Sequence, residues 1–152
     1  RALQAAAKLG VAVSIMHMQG DPKTMQCRPQ YTDVVNEVKS FLQRRKQECV
    51  RAGINGSRVI VDPGFGFGKT AAHNIKLLKN LGSFSTLDSP ILVGLSRKSM
   101  IGKLLKLPPD QRVYASVSLA LIALQNGASI IRAHDIGATC QAVRMYEAVY
   151  NH

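Results

Sequence analysis

Tryptophan is absent, and four Phe with four Tyr make only eight aromatics in 152 residues. So few rings leave little for stacking a nucleic-acid strand. Cysteine is scarcer still. Cys27, Cys49 and Cys140 form no CxxC pair and no even framework, which excludes a disulfide-stapled secreted scaffold and suits a reduced, cytoplasmic compartment. Long apolar runs are missing too: the most apolar helix-like stretch, Ala115–Leu124, falls far short of the roughly 20 residues that span a bilayer. Acidic residues are the other shortage. Nine Asp plus Glu against twenty Lys plus Arg leave a net charge of +11. Such an excess can build a phosphate-binding face, and the cluster Arg44-Arg45-Lys46 makes a basic nucleic-acid-binding module one alternative function. No recognised nucleic-acid motif accompanies it, and charges spread over helices usually form a solvated face.

What is present is an ordinary globular composition, 46% apolar, with apolar residues recurring along the whole chain. That excludes low-complexity disorder and fits one domain. The chain opens at Arg1 with no initiator Met, signal peptide or transit sequence, and Arg1–Leu9 reads as the end of a helix closed by Gly10. The expectation is a piece of something longer.

After Gly10, Val11–Met18 is an apolar run of strand type, and Gln19–Tyr31 is a polar loop with Pro22 and Pro29. Thr32 is the expected cap of a helix in which Val34, Val38, Phe41, Leu42, Arg45 and Cys49 repeat at helical spacing, ending at Gly53. Asn55-Gly56 turns into a strand at Val59–Asp62. A glycine-rich loop, Pro63–Thr70, then leads to a helix near His73–Leu81, and Ile91–Gly94 is a third strand. A basic loop and a short helical piece around Met100–Leu105 follow. Pro108-Pro109-Asp110 starts a longer helix ending at Asn126-Gly127, Ser129–Ala133 is the fourth strand, and Thr139–Tyr150 the last helix.

Alternating strand and helix imply an α/β fold with a parallel sheet, and short, nearly all-apolar strands suit burial on both faces. Two architectures compete: an open doubly wound sheet, or part of a (βα)8 barrel. A full barrel needs about 250 residues, so four units correspond to half of one.

The segment from Asp62 to Thr70 invites a phosphate-loop reading, which fails on spacing. A Walker A loop needs Gly where Pro63 stands, and the dinucleotide fingerprint needs Gly at Lys69. A tight strand-to-helix turn explains the glycines but not Phe65 and Phe67 between them. Two aromatics exposed on a loop suit stacking on a flat ligand ring. Asp62 ends its strand, where α/β folds place ligand-binding groups, or else serves as a helix cap. Ile130, Arg132 and His134 share one strand face by period-two alternation, and a cation there needs an anion. The bland alternative pairs Arg132 with Asp135 or another carboxylate. Met16, Asp62, Lys98, and Arg132 with His134 thus end the four strands on one side of the sheet, in groups fit for a single site.

Four segments carry a family resemblance: Met16–Gln26, Asp62–Lys69, Gly94–Ser99 and Ile131–Asp135. In order and spacing they resemble dihydropteroate synthase of bacterial folate synthesis, a sulfonamide target. The resemblance implies the C-terminal half, strands five to eight, of a (βα)8 TIM barrel. Residues 1–152 would then be a partial pterin-binding domain whose N-terminal half is missing. It also implies a transferase that joins 6-hydroxymethyl-7,8-dihydropterin diphosphate to para-aminobenzoate, releasing pyrophosphate. Met16, Asp62, Gly94 and Lys98 would bind the pterin. Phe67, Lys98 and Ser99 would bind the aminobenzoate, and Arg132 and His134 the pyrophosphate. Lys98, Arg132 and His134 are the candidate catalytic residues.

Ala133 stands where the family usually has valine. The first-strand Asn associated with Mg2+ is missing, as are the mobile loops after strands one and two and an Asp deeper in the pterin pocket. Asn74 and Asn126 sit in no matching motif, so no metal ligand is expected here and the ion would be bound mainly through the missing half. The resemblance implies a homodimer packed through late helices, with no nucleic-acid or membrane partner. The fragment alone is expected to be inactive, and half a barrel would leave two open sheet edges. A non-enzymatic pterin- or phosphate-binding paralogue is a further alternative.

Overall fold

Every strand–helix alternation expected from the apolar pattern is present in the computed structural model, which describes residues 2–22 and 24–150. Arg1 and Lys23, which belong to the expected first helix and to the long polar motif, lie outside the described residues, as do residues 151 and 152. The elements run α1 (Ala2–Leu9), β1 (Val13–Met16), α2 (Val34–Arg51), β2 (Val59–Asp62), α3 (Ala71–Lys79), β3 (Leu92–Val93), α4 (Ser99–Leu105), α5 (Val113–Gln125), β4 (Ile130–Ile131) and α6 (Ile136–Tyr150).

Helix boundaries shift from expectation where several residues compete to cap. Asp33, not Thr32, caps α2: its carboxylate accepts from the Val35 and Asn36 amides at 3.1 and 3.4 Å. The Glu37 carboxylate meanwhile accepts from the Thr32 and Asp33 amides, both at 2.8 Å, so acceptors and orphan donors are matched reciprocally. Thr70 and His73 form a similar box, which starts α3 two residues earlier than expected. The Pro109–Gln111 segment makes only a 3-10 turn, so α5 begins at Val113. Conversely, α6 starts at Ile136, before Thr139, whose hydroxyl donates back to the Asp135 carbonyl at 2.8 Å.

The strands are parallel and follow chain order. β1 pairs with β2 from Val13↔Val59 to Met16↔Asp62, and β3 pairs with β4 through Leu92↔Ile130 and Val93↔Ile131. A single parallel bridge, Val61↔Ile91, joins the two pairs. Among the described residues no strand reverses this order, as a doubly wound sheet would require among these units. Pairing continues past the strand ends that matter most. His17 N donates to the Asp62 carbonyl at 3.1 Å, and Arg132 N to the Val93 carbonyl at 2.9 Å.

The core is thickest between β2 and its helices. Val38, Leu42 and Cys49 of α2 meet Val59, Val61, Leu77, Leu81 and Phe84, all fully buried. Each such aliphatic contributes on the order of 1.5–3 kcal/mol by leaving water. The β4 end is thinner, which corrects the expectation of strands buried on both faces: Ile130 and Ile131 are only half-buried. The well-buried β2 region therefore carries Asp62, while Arg132 follows the thinly covered β4.

Candidate functional site

Asp62 ends β2 directly across from Met16 and is 6% exposed. Its Oδ1 accepts the Gly64 amide at 2.8 Å, so the carboxylate pins the loop that follows rather than capping a helix. Burial pushes its pKa up, against the pull of the Gly64 N–H and of positive charge on Arg132, Lys98 and Lys69. The loop then folds hard against β1. Gly64 and Gly68 have φ of +70° and +64°, and a Cβ would stand 1.9 Å from the His17 carbonyl oxygen and 2.4 Å from that of Gln19. Both the sign of φ and the close approach demand glycine.

The two phenylalanines part company. Phe65 turns inward and is 1% exposed, which corrects the expectation of two exposed aromatics. Phe67 stays half-buried at the surface, with the Lys98 ammonium 4.3 Å from its ring centroid. That is within cation–π range. Burial lowers the Lys98 pKa, Arg132 lowers it further, and Asp62 opposes both.

Lys98 is held by a braced turn. Its neighbour Arg97 has φ +56°, donates its amide to Ser116 Oγ at 2.9 Å and grips the Asp135 carboxylate. The Arg112 guanidinium donates to the Arg97 carbonyl at 3.0 Å, to the Lys98 carbonyl at 3.4 Å, and twice to the Leu107 carbonyl. The basic loop is thus braced by specific hydrogen bonds.

Arg132 is exposed and lies over Gly94, where an added Cβ would come 3.0 Å from its Nη2. Gly94 therefore makes room for the guanidinium. His134, also exposed, is oriented by buried Ser96, whose Oγ meets its amide at 3.1 Å and its Nδ1 at 3.0 Å. Ser99 is exposed at the start of α4.

The structure brings Met16, Asp62, Phe67, Gly94, Lys98 and Arg132 together through these contacts. Ser99 and His134 share no hydrogen bond with that group among the described residues. Four contributors escaped the sequence reading: Lys69, His17, Ser96 and Arg112. Lys69 is 3% exposed, and its ammonium lies 2.9 Å from His17 Nδ1. The available signal was a lysine inside a glycine loop that matches no nucleotide motif. Asn74 and Asn126 act structurally. Asn74 Oδ1 accepts the Gly66 amide at 2.9 Å, and Asn126 Nδ2 donates to the Leu78 carbonyl at 2.8 Å.

The chain's own residues do not fit Mg2+. Among the described residues no three His, Cys, Asp or Glu side chains cluster, and Asp62, the buried carboxylate, faces cations. The arrangement suits a flat, hydrogen-bonding, anionic organic ligand instead. A carboxylate can accept N–H donors, a ring can stack, and two cations can meet negative charge.

The family model described as pterin binding enzyme matches residues 1–134. Dihydropteroate synthase of Haemophilus influenzae is 51% identical over 150 residues, covering 99% of this chain and 54% of that protein. Among solved structures, Yersinia pestis dihydropteroate synthase with a sulfonamide drug complex superposes at a TM-score of 0.96, with 49% identity, over 99% of this chain and 55% of that one. The Xanthomonas albilineans enzyme in complex with 7,8-dihydropteroate superposes at 0.90, with 45% identity, over 97% and 54%. The chain spans about half the length of these relatives. Matched by the family model over most of its length and superposable on solved dihydropteroate synthases, the chain belongs to the pterin-binding enzyme family.

Proposed function

We propose that residues 1–152 are the C-terminal half, strands five to eight, of a (βα)8 barrel, and carry part of the site of a dihydropteroate synthase. The observation that carries this reading is Asp62, a buried carboxylate at a strand end, attended by Lys98 and Arg132 beside the Phe67 ring. In this reading the Asp62 carboxylate accepts hydrogen bonds from the pterin's amino and ring N–H groups, with Met16 and Gly94 lining the slot. Lys98 borders both substrates. Phe67 packs on the aminobenzoate ring, with Ser99 toward its carboxylate.

The reaction breaks the carbon–oxygen bond at the pterin methylene and forms a carbon–nitrogen bond to the arylamine. Departing pyrophosphate gains negative charge as the bond breaks, and Arg132 with His134 stabilises it. An arylamine is nucleophilic without prior deprotonation, so positioning suffices for attack, and the proton shed after the carbon–nitrogen bond forms passes to the departing pyrophosphate or to water. Any Mg2+ would be held by residues outside this chain. A homodimer through the late helices is part of the proposal. Exposed Tyr114 and Ile122 on α5, and Ile136, Met145, Val149 and Tyr150 on α6, support it.

Pyrophosphate release by the full-length protein, assayed with dihydropterin diphosphate and para-aminobenzoate, tests the reading. Binding of both substrates without turnover would favour the non-enzymatic paralogue; binding of neither would sink both. The nucleic-acid alternative loses part of its motivation. In its basic cluster Arg45 pairs with Glu48, and the Lys46 ammonium donates to the Leu87 and Asp88 carbonyls at 2.7 and 2.6 Å.

A further inference from the structure

The loop between Asp62 and Thr70 closes around a cation that the proposed chemistry does not use. The Lys69 ammonium lies 2.9 Å from the Gly64 carbonyl oxygen, 3.1 Å from that of Phe67 and 2.9 Å from His17 Nδ1, with the His17 carbonyl oxygen at 3.5 Å. When Lys69 is charged its ammonium only donates, so Nδ1 then accepts and the imidazole proton sits on Nε2. All three N–H groups have acceptors, as burial of a charge requires. Burial pushes the Lys69 pKa down to about 7, with Asp62 opposing the shift and Lys98 adding to it.

The geometry runs through one residue, Gly64. The Gly64 amide donates to Asp62 Oδ1, while its carbonyl accepts from Lys69 and, at 3.1 Å, from the Phe67 amide. The Phe67 carbonyl accepts from the same ammonium. Loss of that ammonium would leave the Gly64 carbonyl with the Phe67 amide as its remaining donor and the Phe67 carbonyl without its Lys69 partner, loosening the loop on both the Asp62 side and the side of the ring that meets Lys98.

We infer that Lys69 is a positioning residue that ties the Asp62 carboxylate and the Phe67 ring to the end of β1, and so couples the pterin and aminobenzoate subsites. The identity of those two ligands rests on the function proposed above. The coupling rests on the loop geometry. A purely structural role would appear as lower stability, from the acceptors left unpaired, with both KM values unchanged in the folded protein.

Lys69→Met in the full-length protein separates these roles. The expected result is a folded protein in which KM rises for both substrates by on the order of ten- to a hundredfold, the scale of a misplaced binding group. Lys69→Arg, which keeps charge and donors, should recover part of that loss. Amide hydrogen exchange at Gly64 and Phe67 in the ligand-free protein reads the latch directly and should speed up in Lys69→Met. Unchanged exchange, a rise in KM for one substrate only, or unfolding of both variants would overturn the inference. If the wild type binds neither substrate yet Lys69→Met still speeds exchange, the ligand assignment fails and the latch stands.

Discussion

The Arg97 guanidinium takes both oxygens of the Asp135 carboxylate, Nε meeting Oδ2 at 3.0 Å and Nη2 meeting Oδ1 at 2.5 Å. Hydrogen bonding to Arg97 holds the Asp135 pKa below its usual range. Asp135 was the nearest candidate in sequence to neutralise Arg132, and it is already engaged. No salt bridge reaches Arg132 among the described residues. Arg97 thus fixes the turn that presents Lys98 and leaves Arg132 available to an anion.

The two loop phenylalanines should respond oppositely to truncation. Phe65→Ala removes a fully buried ring and should cost about 3–5 kcal/mol, seen as a lower urea midpoint. Phe67→Ala removes a half-buried ring and its contact with Lys98, so stability should fall by less than about 1 kcal/mol. Aminobenzoate binding should weaken in Phe67→Ala. Equal destabilisation by both substitutions would contradict the inward turn of Phe65 alone.

Much of this site was legible in the sequence because strand ends are. Apolar runs closed by turns place Met16, Asp62, Lys98 and Arg132 at neighbouring strand ends; the structure has Met16, Asp62 and Arg132 there, whereas Lys98 comes five residues after β3, at the start of α4. Phe65 and Phe67 were not distinguishable, since the positive-φ glycines between and beside them, Gly64, Gly66 and Gly68, set which ring turns inward. Lys69 and Arg112 were hidden for another reason. Their partners include backbone carbonyls, which carry no residue signature, and His17 lies 52 positions from Lys69. Helix starts moved by a few residues where Thr32 and Asp33, or Pro109 and Arg112, competed for one terminus.

Acid should loosen the β1 end. Burial, then the nearby Lys69 charge, lowers the His17 pKa from 6.5 to about 4. The unfolded chain takes up that proton near pH 6.5 while the folded chain resists until about pH 4. Stability is therefore fully present above pH 6.5 and lost as pH falls towards 4, by roughly 3 kcal/mol at most. Urea unfolding of the full-length protein between pH 7 and 4 should show the decline, and His17→Gln should flatten it. An NMR titration placing His17 near its ordinary pKa would refute the buried, ammonium-facing geometry.

Asp62 and Lys98 should be separable by ligand. Asp62→Asn replaces one acceptor oxygen by an N–H donor, which should weaken pterin binding by roughly 1–3 kcal/mol. Lys98→Ala should impair both substrates, because its ammonium stands over Phe67 while its charge acts on Asp62. Calorimetry with each substrate in turn checks this. Unchanged pterin affinity in Asp62→Asn would remove the carboxylate from the site.

Arg132 and His134 give the most discriminating test, because the structure treats them differently. Arg132 is exposed over Gly94 with no carboxylate partner among the described residues, so its guanidinium keeps a full set of donors for a phosphate group. His134 shares Nδ1 with Ser96 Oγ, so only Nε2 remains free to meet an anion. If the proposed function holds, Arg132→Ala in the full-length protein should lower kcat more than it weakens aminobenzoate binding, since charge on the leaving group grows towards the transition state. It should also raise the inhibition constant for pyrophosphate as a product inhibitor. His134→Ala should shift both quantities in the same direction but less, having one donor to lose where Arg132 has a fork. Arg97 and Asp135 remain paired in either variant, so thermal stability should change little. A lower melting temperature for Arg132→Ala with an unchanged pyrophosphate inhibition constant would make Arg132 a structural residue and end its assignment to the leaving group.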